Sequence, residues 1–207
     1  MLKIRYTLAI TAALATAVTF TACSSNTGSG SMDGMNHGNS SASPAPGTGS
    51  GAHNDADIAF AMIMVPHHKQ AVEMADLLLA KDGINTEVIA LAEKIKAAQQ
   101  PEITTMNSWL KAWGADTSTS DMGGMDHGGM MSEGDMNALD TATGLDASKL
   151  FLQQMTQHHQ GAIDMANSEI NEGKNRDALA LAKKIIQDQT VEITEMQRLL
   201  ATDSRVG

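Results

Sequence analysis

Met64-Val65-Pro66-His67-His68-Lys69-Gln70-Ala71-Val72-Glu73-Met74 is answered 91 residues later by Met155-Thr156-Gln157-His158-His159-Gln160-Gly161-Ala162-Ile163-Asp164-Met165. Both stretches read Met-x-x-His-His-x-x-Ala-(Val/Ile)-acid-Met. On an α-helix each residue advances about 100° around the axis. With Met64 at zero, His67 and His68 fall roughly 60° to one side and 40° to the other, and Met74 roughly 80° off. Two thioethers and two imidazoles therefore share one stripe, and Ala71 and Ala75 leave room between them. Glu73 points to the opposite side, as does Asp164 in the second copy. Each copy reads as a metal-binding face on a helix.

The repetition extends beyond the histidines. Ala90-Leu91-Ala92-Glu93-Lys94-Ile95 is matched by Ala180-Leu181-Ala182-Lys183-Lys184-Ile185, and Glu102-Ile103-Thr104-Thr105-Met106 by Glu192-Ile193-Thr194-Glu195-Met196. Gly173 matches Gly83. The offset here is 90, one residue shorter than between the histidine blocks, so a residue has been lost in the turn. The pattern is an internal duplication of a helical hairpin. Residues 55–113 form the first hairpin, 114–145 a linker rich in Met, Gly and His, and 146–203 the second hairpin. In the first, Asp57 is the expected N-cap, apolar periodicity runs from Ile58 to Leu79, and Gly83 reads as the C-cap. The next helix runs from about Thr86 to Trp113, with Pro101 expected to kink it or begin a new segment. Asp146 or Ser148 can cap the third helix. A single hairpin cannot bury its own apolar stripe. Two joined make an all-α, four-helix bundle with one core, and no alternating strand pattern competes.

The second helix of each hairpin carries polar groups on its apolar side. Gln99, Glu102 and Met106 share a face with Val88, Ala92, Ile95, Ile103 and Leu110, and Gln189, Glu192 and Met196 recur beside Ala182, Ile185 and Ile193. Burying such groups unpaired costs about 1–3 kcal/mol each. The inward histidines are the available partners. Met64, His67, His68, Met74 and Met106, with Met155, His158, His159, Met165 and Met196, are the expected metal ligands. Gln99, Glu102, Gln189 and Glu192 are expected to orient the imidazoles from behind.

The chain begins as an exported protein does. Lys3 and Arg5 precede an apolar run from Leu8 to Phe20, too short to span a bilayer, and Phe20-Thr21-Ala22-Cys23 closes it. Residues 1–23 are expected to be a signal peptide with a lipoprotein cleavage box, Cys23 becoming the lipidated terminus. The competing reading is ordinary cleavage that leaves a free thiol. With Cys23 the only cysteine, no intrachain disulfide can form. Residues 24–54 are expected to form a flexible, disordered Ser/Gly-rich tether. The expected location is the periplasm or the outer side of the cell membrane, with the lipid as anchor.

Removal of the signal takes the formal charge from -10 to about -12. So acidic a chain is a poor nucleic-acid binder. Methionine is the outlier, with 15 residues against 6 aromatic ones. Met can fill cores, so placement decides. The tether contains Met32-Asp33-Gly34-Met35-Asn36-His37, and the linker Met122-Gly123-Gly124-Met125-Asp126-His127-Gly128-Gly129-Met130-Met131. Neither Gly-rich stretch offers a core to fill. Met32, Met35, His37, Met122, Met125, His127, Met130 and Met131 are therefore expected to capture additional metal.

Mixed thioether and imidazole ligands select Cu(I), with Ag(I) as the second soft ion, whereas Met is a poor zinc ligand. No nucleophile constellation, phosphate loop or paired acid–base carboxylates are present, so binding without turnover is expected. The predicted role is copper tolerance, buffering or delivery, with a copper-transfer protein as a partner. Two other classes compete. A ferritin-like di-iron oxidase would use Glu-x-x-His motifs and several inward carboxylates. These helices hold no Glu-x-x-His, and only Glu102 and Glu192 are expected to face inward. A structural or partner-binding envelope lipoprotein would suit the tether, but nothing in the sequence specifies a partner.

These residues also resemble a known family. His67-His68-x-x-Ala71-Val72-x-Met74-Ala75 with Gln99-x-x-Glu102-Ile103-x-x-Met106-x-x-Trp109-Leu110, and their second copies, are similar to the domain of unknown function 305 (DUF305) family over about residues 55–203. The resemblance implies a ferritin-like four-helix bundle, exported, in a family that includes CopM-like copper-binding and copper-resistance proteins. Leu199 stands where the first copy has Trp109, a departure that touches packing.

Overall fold

The structure, a computed structural model, describes residues 51–115 and 128–203. The expectations placed on Cys23, Met32, Met35, His37, Met122, Met125 and His127 fall outside them. The described residues form helices and connecting turns only: α1 (Asp55–Leu79), α2 (Thr86–Ala112), α3 (Glu133–Thr141), α4 (Gly144–Glu172) and α5 (Arg176–Asp203). The four long helices make the bundle. α1 packs on α2, α4 on α5, and α1 on α4, while α2 and α5 touch more lightly. None of the described helices is long and apolar enough to cross a membrane.

Two packed clusters show how α1 and α4 run. Ala71, Met74, Ala75 and Leu78 of α1 pack with Ala147, Phe151, Leu152 and Met155 of α4. Phe60, Ala61, Met64 and Val65 pack with Ala162 and Ala166. The C-terminal half of α1 thus meets the N-terminal half of α4, and the two helices are antiparallel. The histidine pairs fall at the crossing between the clusters. Because the two copies of the motif face each other head to tail, each cluster draws on both hairpins.

The helix ends differ from the sequence reading in informative ways. Asn54, not Asp57, is the N-cap of α1. Asp57 is the third residue of a capping box, its carboxylate accepting from the Asn54 amide at 2.6 Å. The same carboxylate accepts the amides of Lys174 at 3.0 Å and Asn175 at 2.7 Å in the α4–α5 turn. Asp57 is therefore fully buried and ties two helix starts together. Ala80, not Gly83, caps the C-terminus of α1. Gly83 lies further on, at φ +73°, in the turn itself. α4 begins at Gly144 behind Thr143, ahead of Asp146 and Ser148, and Ser148 instead accepts the Asn85 amide at 3.2 Å.

α2 continues through Pro101 as one helix, so no new segment begins there, and α1 likewise contains Pro66. A proline in a helix interior costs about 3 kcal/mol. Apolar packing on both sides of each proline outweighs that cost. The end of the linker is also not structureless: Ser132 and Asp135 form a capping box that starts α3, and Leu139 is buried beneath it.

Candidate metal centre

Four imidazoles meet at the middle of the bundle. His67 and His68 on α1 and His158 and His159 on α4 are all fully buried. The His67 and His158 rings pack across the α1–α4 seam with centroids 3.7 Å apart. His68 and His159 turn the other way, each towards a carboxylate. Glu102 Oε2 lies 2.9 Å from His68 Nε2, and Glu192 Oε2 lies 2.9 Å from His159 Nε2. In each hairpin the carboxylate comes from the second helix and the imidazole from the first.

Two lysines that the sequence reading passed over complete these relays. Lys184 of α5 reaches Glu102 at 2.8 Å, and Lys94 of α2 reaches Glu192 at 3.4 Å. Each hairpin thus supplies a lysine to the other hairpin's glutamate. The signal was present, since both lysines stand in the repeated Ala-Leu-Ala-x-Lys-Ile segment, but crossing between hairpins is decided only by packing. Burial pushes the Glu102 carboxyl up, but His68 and Lys184 outweigh it and hold the group below its ordinary range. Glu102 is a carboxylate at neutral pH, able to accept the His68 Nε2 proton.

That hydrogen bond fixes which nitrogen is left for a metal. With Nε2–H donated to the carboxylate, the lone pair sits on Nδ1. Nδ1 of His68 and Nδ1 of His159 are buried and make no hydrogen bond. Leaving such nitrogens unmatched costs about 1–3 kcal/mol each. Burial, then the neighbouring His67, holds His158 well below the ordinary histidine range, and burial also lowers His159 against the pull of Glu192. Both are neutral imidazoles near pH 7, the state that binds metal.

Gln99 and Gln189 depart from expectation. Both are buried on the inner face, yet neither end of the Gln99 amide nor Oε1 of Gln189 finds a partner. The histidines that would have matched them are already directed at Glu102 and Glu192.

The methionines divide into two groups. Along a helix Met64 and Met74 are about 15 Å apart, so one ion cannot take both. Met64 and Met106 share one cluster, with Met165 packed at its margin. Met74, Met155 and Met196 share the other. Each group takes two thioethers from one hairpin and one from its partner hairpin. Five of the six are fully buried. Met165 is only partly so. Ala71 and Ala162 are buried between them, and Glu73 and Asp164 face solvent. Met131, expected in an unstructured capture segment, is instead 7% exposed and packed with the Met155 group, while Met130 is half-buried.

One inward carboxylate was missed. Glu169 on α4 is buried against Asp57, and burial followed by that neighbouring carboxyl pushes it up to about 8. Its position corresponds to Leu78 in the first copy, so the repeat itself gave no warning. Among the described residues, no group of three or more His, Cys, Asp or Glu is gathered to hold a metal. Nitrogen and oxygen donors alone do not make a centre here. The other donors buried along the same helices are thioethers, and that set fits a soft ion.

The sequence profile described as "Domain of unknown function (DUF305)" matches residues 57–200. The chain belongs to the DUF305 family. A DUF305 protein from Streptomyces coelicolor, described as secreted, is 34% identical with a TM-score of 0.66, over 71% of this chain and 91% of that one. A DUF305 fragment from Deinococcus radiodurans is 28% identical with a TM-score of 0.64, over 73% of this chain and 99% of that one. CopM in its Cu(I)-bound form is 29% identical with a TM-score of 0.60, over 70% of this chain and 96% of that one. CopM is also described in Cu(II)-bound and Ag-bound forms. A search of curated proteins gives no match.

Proposed function

We propose that this DUF305 protein binds Cu(I), and Ag(I) by the same chemistry, outside the cytoplasm, and that it acts by binding without turnover. One observation carries the reading. Four buried imidazoles lie along the helices between two groups of largely buried thioethers, and two of the imidazoles are held by carboxylates through Nε2, with Nδ1 buried and unbonded. Packing alone does not explain the Nδ1 atoms of His68 and His159, sealed from water and without a hydrogen bond. A soft ion satisfies them and the sulfurs together. CopM, which shares the fold and more than a quarter of the aligned residues, is described with copper and with silver bound, and this supports the same cargo here.

The ligands are His67, His68, His158 and His159, with Met64, Met106 and Met165 serving one side and Met74, Met155 and Met196 the other. The Met- and His-bearing segments of the tether and linker gather further ions. Lipidation at Cys23 holds the protein to the envelope, where copper tolerance, buffering or hand-over to a transfer protein takes place. Titration with Cu(I) against a chromophoric competitor tests the reading. The native chain should show a tight class of more than one ion. Replacing His67, His68, His158 and His159 together by Ala should abolish it. Unchanged affinity in that variant would overturn the proposal.

A further inference from the structure

We propose that Met131 is a thioether ligand of the Met155–His159 side of the centre, carried there by a strap, residues 128–131, that closes over the His67–His158 pair. This rests on the soft-metal reading above.

The strap is fastened at two points. Its first end lies flat on α4. A Cβ placed on Gly161 would collide with the Gly128 carbonyl oxygen and come within 2.7 Å of Gly129 Cα. A Cβ on Gly129, itself at φ +82°, would lie 2.8 Å from Gly161 Cα. Glycine on both sides is what permits backbone to touch backbone here. The other end is clamped to α1. The Gln70 amide mimics a strand: its Nε2 donates to the Met131 carbonyl at 2.9 Å, and its Oε1 accepts from the Met131 amide at 2.7 Å.

The two fastenings mark the strap's place. Gln70 lies one helical turn past His67, and Gly161 one turn past His158. These are corresponding positions in the two copies of the motif, with Gln in one and Gly in the other. The strap therefore crosses from α4 to α1 over the turn that follows the paired rings. It delivers Met131 into the cluster that holds Met74, Met155 and Met196. Met62 packs against the Met64 group too, but only partly buried, whereas Met131 is a buried member of its cluster. A backbone clamp with two hydrogen bonds and a glycine-on-glycine contact is more than an apolar plug requires, since any aliphatic side chain would fill the volume.

Met131→Leu keeps the shape and removes the sulfur, so it separates ligand from filler. In the full-length protein, Cu(I) competition should show about a tenfold weaker ion on one side, the size of effect seen when a metal's supporting group is lost. X-ray absorption at sub-saturating Cu(I) should show fewer sulfur neighbours, while the melting temperature of the metal-free protein stays put. Gly161→Ala, which adds only a methyl and favours the helix, should displace the strap and reproduce the same loss. If Met131→Leu keeps full affinity and sulfur count while Met155→Leu loses both, Met131 is filler and the proposal falls, but the soft-metal reading stands. If neither variant nor the four-histidine variant changes Cu(I) binding, both fall together.

Discussion

The Met155 half of the bundle and the Met64 half start from the same motif and end as different sites. In the first, Met74, Met155 and Met196 are sealed from solvent and Met131 is added on top. In the second, Met64 and Met106 are sealed, but the further thioethers, Met165 and Met62, are only partly covered. The relays differ as well: Lys184 sits at 2.8 Å from Glu102, Lys94 at 3.4 Å from Glu192. The outer ends diverge most. Where the first copy has Leu78, the second has Glu169, facing Asp57. A repeated helix pair thus supplies one buried imidazole layer and leaves its two flanks free to specialise.

The largest expected effect lies in packing. Trp109, 1% exposed, fills the Met64 half where Leu199, 2% exposed, fills the other. Trp109→Ala should cost about 3–5 kcal/mol and Leu199→Ala, from a range of about 2–5 kcal/mol, the smaller amount, measured by denaturant unfolding. Equal losses would mean that the two halves are packed alike despite the substitution.

Next comes the Asp57–Glu169 pair. Glu169 titrates near 8 in the fold against an ordinary value of 4.5. A raised carboxyl favours the folded state while it stays protonated, so its support is complete below about pH 4.5 and is lost as pH rises through about 8. Stability should fall by a few kcal/mol across that window, and Glu169→Gln should flatten the fall. Burial pushes Asp57 up, but the Asn175 and Asn54 amides, the Glu169 carboxyl and the Lys174 amide outweigh it and hold it low, so it loses its contribution only below its ordinary value of 3.8. The two windows do not overlap. A native chain whose unfolding midpoint is level from pH 5 to 9 would break this assignment.

Smaller changes should appear in metal binding. Glu102→Gln and Glu192→Gln should each weaken Cu(I) by about 10–100-fold, on one side only, because each removes the acceptor that fixes one imidazole. Competition titration of the two variants should therefore lose different ions. The smallest effect belongs to the linker. Deleting residues 117–127 should lower total copper capacity while leaving the tight class untouched, whereas a deletion reaching Met131 should not leave it so.

Much of this was legible in the residues. The three-and-four spacing of Met64, His67, His68 and Ala71 requires a helix, and its recurrence at Met155 requires a second. Apolar stripes on Val88–Leu110 and Ala182–Met196 require that the hairpins share a core. Periodicity shows which side chains lie on one face, so it placed Glu102 and Glu192 on the same side as the imidazoles. It also placed Gln99 and Gln189 there, but periodicity carries no distance and could not say that they would go unmatched. The cap at Asn54 was hidden because Asp57 is itself a good capping residue and sits three positions on.

What the sequence determined alone was composition by face: a helical duplication whose inner surface carries sulfur and imidazole instead of hydrocarbon only. Tertiary structure decided the rest, because it depends on which helix lies against which and at what height. The antiparallel crossing of α1 and α4 put His67 on His158 and split the methionines into two groups. It sent Lys94 and Lys184 to the opposite hairpin's carboxylates and brought Glu169 against Asp57. Local spacing repeats every turn and is blind to such meetings, since they join residues more than 80 positions apart in the chain.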